Sequence, residues 1–276
     1  VTIAGAACEY AIMRYANGKN AKVSEAVLVT CFLFTLTLPP ATPYWVAVIG
    51  IVFGVFFGKG VFGGFGKNIF NPALVGRCFI YISFPSHMTI SWTKPFSGFP
   101  GGFLRYFAGM DAVTSATPMI ALKKTGEAAG YLELFLGNIS GSLGETSALL
   151  ILLSAAYLVY TKTASWKIML SCSASLIILN SILYFSGIVK HDPLFSVLSG
   201  GFLFAVVYMA TDPVSAPSNE TSKVIYGALI GTVAMVIRSF SLFAEGIMFA
   251  ILIGNTFAPL IDKHVKDFEA KRKVAA

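Results

Sequence analysis

The 276-residue sequence predicts an all-α integral membrane protein, and three observations predict it. Hydrophobic residues make up 56% of the chain and charged residues only 12%, where soluble domains carry about 25% charged. The apolar residues fall in long runs separated by loops that hold most of the charge. Twelve prolines and 26 glycines mark frequent breaks between helices. An aromatic content of 14% with so few charges excludes a disordered chain. The net charge of +7 is dispersed between the runs instead of forming one patch, so it indicates membrane loops and no nucleic-acid partner.

A helix that crosses a bilayer needs about 20 apolar residues, fewer where it is broken or buried in a bundle. The runs predict a partial segment at Val1–Tyr15, then spans at Val23–Leu38, Tyr44–Phe62, Ile69–Pro85 and Thr146–Tyr160. Trp166–Val189, Leu194–Ala210, Val224–Ile237 and Gly246–Asp262 complete about nine. The first segment is too short to cross, so the sequence is expected to begin inside a helix, with another span upstream. Residues 1–85 then form a first membrane repeat, truncated at its N-terminus, and 146–276 a second repeat with a cytoplasmic tail. Residues 86–145 form an extracytoplasmic loop region, in which the short apolar piece Tyr131–Leu136 reads as an interfacial or half-crossing helix. Loop charge sets the orientation. With the Arg14, Lys19 and Lys22 loop in the cytoplasm, 13 of the 20 Lys and Arg lie inside and six outside, with Arg77 within a span.

The two halves resemble each other weakly. Val48-Ile49-Gly50-Ile51-Val52 parallels Leu229-Ile230-Gly231-Thr232-Val233, and Leu74-Val75-Gly76-Arg77-Cys78-Phe79 parallels Leu252-Ile253-Gly254-Asn255-Thr256-Phe257. Five spans separate the matched helices, so the halves face opposite ways, as in the inverted repeats of transport proteins.

Three clusters carry chemistry. Five glycines within Gly58–Gly66 lead into Lys67-Asn68 and Phe70-Asn71-Pro72-Ala73, giving backbone freedom and exposed N–H groups between two spans. Gly63, Gly64 and Asn68 are candidates for contact with a flavin-like or anionic ligand, although the segment lacks the Gly-Lys-Ser/Thr of a phosphate-binding loop. Asp212, in Ala210-Thr211-Asp212-Pro213-Val214, suits a turn cap or a ligand contact. Asp111-Ala112-Val113-Thr114-Ser115-Ala116-Thr117-Pro118 is a hydroxyl-rich turn beside an acid, in the outer loop region. Glu25, Glu145 and Glu245 lie at span edges, where such acids face water or pair. His87, His191 and His264 read as solvated surface. Cys8, Cys31, Cys78 and Cys172 have no disulfide or metal-ligand spacing, and no catalytic triad, paired carboxylates or metal site is legible.

These motifs together resemble one family, the NqrB/RnfD family. It comprises the RnfD component of the Rnf complex and the NqrB component of the sodium-translocating NADH:quinone oxidoreductase. Gly63–Ala73 resembles its GGxGxNxFNPA segment, Met209–Val214 its MATDPV segment and Gly141–Ser147 its GSxGETS segment. Asp111, Thr114, Ala116 and Thr117 match its flavinylation motif, with Ser115 between them. The resemblance implies two inverted five-helix repeats, about ten transmembrane helices in the full-length protein. It implies FMN esterified to Thr117 by a flavin transferase, and a non-covalent riboflavin. It implies an electron-transfer subunit, not catalytic alone, in a prokaryotic cytoplasmic-membrane complex that moves Na+ or H+. The Asp-Ala-Val-Thr-Ser-Ala-Thr-Pro wording and short connections favour the Rnf member, with Rnf partner subunits and membrane lipid around it. The quinone-reductase member is the alternative within the family, and a stand-alone channel or transporter the alternative outside it. No pyridine-nucleotide fingerprint occurs, so NADH and ferredoxin are expected on partner subunits.

Overall fold

A computed structural model describes residues 1–18, 22–89, 92, 117–126, 128–241, 243 and 246–275. Among these the regular structure is helical. The first half holds α1 (Thr2–Asn17), α2 (Ala26–Leu36), α3 (Tyr44–Gly58), α4 (Pro72–Ser83) and the short α5 (Pro85–Thr89). Two short helices follow, α6 (Pro118–Thr125) and α7 (Tyr131–Leu136). The second half holds α8 (Ala148–Tyr160), α9 (Trp166–Phe185), α10 (Pro193–Leu198), α11 (Phe202–Tyr208), α12 (Glu220–Phe240) and α13 (Ile247–Ala275). Three stretches, Tyr44–Phe62, Trp166–Phe185 and Glu220–Phe240, are long and apolar enough to cross a membrane, and α2, α4 and α8 are shorter apolar helices.

Several helices start where an Asx or hydroxyl side chain caps the first turn and proline takes the first helical position. Asn71 accepts the N–H groups of Ala73 and Leu74 ahead of Pro72, Asp192 accepts that of Phe195 ahead of Pro193, and Thr117 precedes Pro118 in the same way. The side-chain acceptor satisfies an otherwise orphaned donor, and proline removes one that would have no partner.

The halves repeat one packing scheme. α3 packs on α4 as α12 packs on α13, and α1 on α3 as α9 on α12; α1 touches α2 as α9 touches α10. Small residues permit the closest approaches. A Cβ on Gly54 of α3 would strike the Pro72 carbonyl and the Gly76 backbone, and one on Gly231 of α12 would strike the Cys172 carbonyl. The α1–α2, α3–α4, α8–α9 and α11–α12 connections gather at one end of the bundle, where Lys59 reaches Ser24 and Phe65, Thr163 and Asp212 line one cavity. α13 reaches the same end, where Asp262 accepts the Ser218 and Asn219 N–H groups at 2.9 and 3.2 Å. At the opposite end Lys123 of α6 donates to the Ser241 carbonyl in the α12–α13 connection. There Met119, Leu122, Leu134 and Phe195 join α6, α7 and α10 in a small separate core. α3 therefore runs toward the first end and α12 away from it, as inverted halves require.

The structure corrects several sequence expectations. The span Leu194–Ala210 is two helices, because Gly200 and Gly201 both take φ +65° and turn the chain between α10 and α11. The freed carbonyls are taken by the buried Arg238, which donates to Ser196 O at 2.5 Å and to Ser199 O and Gly200 O at 3.4 Å. The helix of the last span outruns the span: α13 continues past Asp262 through the polar tail to Ala275 despite Pro259. α4 starts at Pro72, where Asn71 caps it, and not at Ile69. His191 is not solvated surface. It is 8% exposed, and its Nδ1 lies 2.7 Å from Ser196 Oγ.

Burial, with the Arg238 and Lys123 charges nearby, pushes the His191 imidazole down to about 4 from its ordinary 6.5. The unfolded chain then takes up the proton first as pH falls, so stability declines from pH 6.5 toward 4. After allowance for solvent screening the loss is about 1–2 kcal/mol. Thermal unfolding in detergent across this range should show the decline, and His191→Gln should flatten it.

Candidate functional site

Two of the sequence motifs meet at a cavity of about 320 Å³ at the Lys59 end of the bundle. One wall comes from the glycine-rich connection. Gly63 and Gly64, at φ +98° and +97°, turn the chain after α3. They do not line the cavity themselves; Phe65, Asn68, Asn71 and Pro72 beyond them do. The facing wall is the Thr211-Asp212-Pro213-Val214 segment after α11, with Val29, Thr30 and Leu33 of α2 between.

The polar groups here are mostly held by the protein. Asn71 caps α4, and its amide nitrogen lies 3.4 Å from Met209 O on the facing wall. The Asn255 side-chain carbonyl, with the amide oriented by its partners, accepts the Asn71 N–H at 3.1 Å, and its nitrogen lies 2.6 Å from the Tyr226 hydroxyl. Asp212 accepts from Val214 N at 3.2 Å and from Ser215 Oγ at 2.8 Å, a turn that fixes the wall. Asn68 donates to Phe70 O at 3.1 Å and is 6% exposed. Its carbonyl oxygen has no hydrogen bond among the described residues, which makes it an available acceptor. The arrangement is that of a ligand pocket: apolar walls, a few fixed polar groups and a volume at the lower end of the usual range of about 300–1,000 Å³.

Lys59, which also lines the cavity, is anchored in a buried cluster. Its Nζ lies 3.0 and 2.9 Å from the two Glu9 carboxylate oxygens and 2.6 Å from Ser24 Oγ, with Lys59 and Glu9 side chains each 3% exposed. The second half repeats this cluster in altered form. Asn180 of α9 replaces Glu9 of α1, Ser196 replaces Ser24, and Arg238 at the end of α12 replaces Lys59 at the end of α3. Asn180 Nδ2 donates to Ser196 Oγ at 2.5 Å. A second buried ion pair ties α4 to the connection before α8, with Arg77 Nη1 2.6 Å from Glu145 Oε1, and a Cβ on Gly201 would strike the Glu145 carboxylate. Glu145 therefore pairs instead of facing water. Sequence reading missed Glu9, Lys59, Asn180 and Arg238 as a set; the available signal was an acid within the apolar stretch 3–13 of α1.

Thr117 caps α6, with Oγ1 3.4 Å from the Ile120 N–H. The sequence leads one to expect an exposed hydroxyl, but Thr117 is 5% exposed, because the capping geometry turns the side chain back over its own first turn. Asp111, Thr114, Ser115, Ala116 and Glu245 lie outside the described residues. Thr117 and the cavity belong to opposite ends of the bundle, so the structure does not bring the predicted site residues into one site.

Residues 1–271 match the sequence family described as the NQR2, RnfD, RnfE family. Relatives include proteins named as the B-type subunit of a Na(+)-translocating NADH-quinone reductase. The one from Pseudomonas paraeruginosa is 40% identical over 270 residues, which cover 95% of this chain and 64% of the relative. That from Azotobacter vinelandii is 39% identical over 272 residues, with the same coverage. That from Chromohalobacter salexigens is 38% identical over 272 residues, covering 94% and 63%. The chain thus spans somewhat less than two thirds of the length of these relatives.

The buried Glu9–Lys59 pair can be tested directly. Lys59→Met strands a carboxylate away from water and should lower stability by about 3–5 kcal/mol. Adding Glu9→Gln should restore most of that loss in thermal unfolding in detergent. Equal destabilisation of the single and double variants would show that the pairing is immaterial.

Proposed function

The chain belongs to the NQR2, RnfD, RnfE family, and from that membership we propose that it is a flavin-carrying subunit of a redox-driven, ion-translocating membrane complex. The sequence wording favours the Rnf member. The named relatives instead support the NqrB reading, that of a Na+-translocating NADH:quinone reductase. Alignment over 270 residues carries more information than the wording of one motif, so the proposal follows the relatives. The other subunits of the complex, a flavin transferase and lipid are the partners of this reading. In it the Lys59 end faces the cytoplasm of a prokaryotic cell and the Thr117 end faces outward.

The observation that carries the proposal is the convergence of the glycine-loop and Met209–Val214 motifs on one ligand-sized cavity. Its apolar walls and the Asn68 acceptor suit the planar, amphipathic ring of riboflavin. At the other end Thr117, although only 5% exposed, is the proposed carrier of a phosphoester-linked FMN. The hydroxyl stands at the N-terminus of α6, where helix partial charge and backbone N–H groups favour an anionic phosphate. The 3.4 Å cap contact is long, so esterification gives up little. Bound flavin accepts and passes on electrons; the chain contributes position, burial and electrostatics. Lys59, Asn68 and Asp212 hold the inner cavity's polar rim, and Lys123 ties the Thr117 helix to the α12–α13 connection. A plain channel has no use for a flavin acceptor sequence, which sets that reading below this one.

In-gel flavin fluorescence after co-expression with the transferase tests the covalent site. Thr117→Ala should abolish the fluorescent band and Thr114→Ala should leave it. Equal fluorescence of the parent and Thr117→Ala overturns the assignment.

A further inference from the structure

An acceptor threonine has to enter the active site of a second protein, yet Thr117 is 5% exposed. Turning its side chain out of the cap does not present it, because the next two residues, Pro118 and Met119, are buried as well. The backbone at the acceptor lies inside the protein, so the hydroxyl reaches a transferase only when α6 moves.

α6 is held in a way that lets it move. Its eight residues place Met119 and Leu122 in the small core with Leu134 and Phe195, apart from the main core of the bundle. Both of its ends are closed within the helix. Thr117 O accepts the Ala121 N–H at 2.8 Å and Thr117 Oγ1 the Ile120 N–H at 3.4 Å. Gly126, at φ +77°, donates its N–H to Leu122 O at 3.1 Å. Undocking therefore strands no backbone group at either end, and the contacts to be broken are chiefly those apolar side chains and one polar latch.

The latch is Lys123, whose Nζ donates to Ser241 O at 3.2 Å and to Phe243 O at 3.5 Å. Ser241 stands at the C-terminus of α12, where the partial charge of a helix favours a lysine ammonium. Lys123 is exposed, so water competes for both carbonyls and the latch can open.

We propose that α6 is a detachable strap: the transferase acts on Thr117 while α6 is undocked, and Lys123 sets how often that occurs. The proposal rests on the reading of Thr117 as the FMN carrier. In the transfer Thr117 Oγ1 bonds to the FMN phosphorus of a flavin dinucleotide, FAD, and the pyrophosphate bond breaks to release AMP. The hydroxyl proton passes to a base of the transferase, and nothing is oxidised or reduced. Docked, α6 shields the hydroxyl; undocked, it offers the hydroxyl together with the chain on either side.

The test uses the full chain in its membrane complex, produced without the transferase. Transferase and FAD are added, and the rate at which this chain's band becomes fluorescent is measured. In Lys123→Cys/Ser241→Cys a short, reducible bis-maleimide joins α6 to the end of α12, and the parent treated alike controls for the half-buried Cys8 and Cys78. Joining should slow flavinylation roughly tenfold or more, and reduction should restore the rate of the unjoined variant. Lys123→Met and Leu122→Ala, which weaken docking, should each speed it about three- to tenfold over the parent. The strap is overturned by flavinylation of the joined variant at the unjoined rate, by a block that reduction does not lift, or by loosened variants no faster than the parent. A parent band that never fluoresces, or one that persists in Thr117→Ala, overturns the FMN reading itself, and the strap with it.

Discussion

The structure depends on one constraint: charges and broken backbone inside an apolar bundle must find partners within the protein. Leaving a buried polar group unpaired costs several kcal/mol, so broken backbone within the bundle favours a polar side chain beside it. Arg238 meets this need at the α10–α11 break, where it donates to three carbonyls. Arg77 and Glu145 meet it beside Gly201, and Lys59, Glu9 and Ser24 meet it at the opposite end. These clusters explain why a chain with few charges keeps several of them buried.

The constraint also links fold to site. Asn71 is at once the cap of α4, a wall of the cavity and a contact to Met209 across it. Asn255 holds the same backbone from the far side and ties it to Tyr226. The cavity wall therefore cannot move without disturbing α4, α12 and α13 together. A pocket built this way is pre-organised, and binding then has little ordering to do.

Much of the fold was legible because apolar periodicity and loop charge respond to the same membrane. The long helices α3, α9 and α12 and the gathering of the basic connections at one end follow from runs and signs of charge. The α10–α11 break was not legible, because Gly200 and Gly201 look like the small residues that pack helices elsewhere in the chain. Only the arrival of Arg238 from a distant helix shows that the backbone there has opened. The site was half legible. Motif matching found the connection before α4, the segment after α11 and Asn68, which lines the cavity; Gly63 and Gly64 do not line it, and Phe65 and Asn71 do. Glycines in such a loop set its path, and the side chains beyond them line the space.

The altered repeat of the buried cluster bears on how inverted halves come to differ in role. Both clusters sit at the junction of a long helix with a shorter one, so both halves face the same problem of satisfying a helix end. In the first half a carboxylate neutralises the lysine, and the pair is closed on itself at 2.9 Å. In the second half an amide stands in the place of that acid, and Arg238 turns to backbone carbonyls. The break that Gly200 and Gly201 make between α10 and α11 leaves free the carbonyls that Arg238 takes. Two differences, an amide in place of the acid and an arginine in place of the lysine, thus accompany an intact α2 on one side and a broken helix on the other. The break in turn gives α10 its own orientation, and α10 is the element on which α6, the helix that Thr117 caps, is packed through Met119, Leu122 and Phe195. Thr117 thus caps a helix whose packing partner α10 is set apart by the break that Arg238 satisfies.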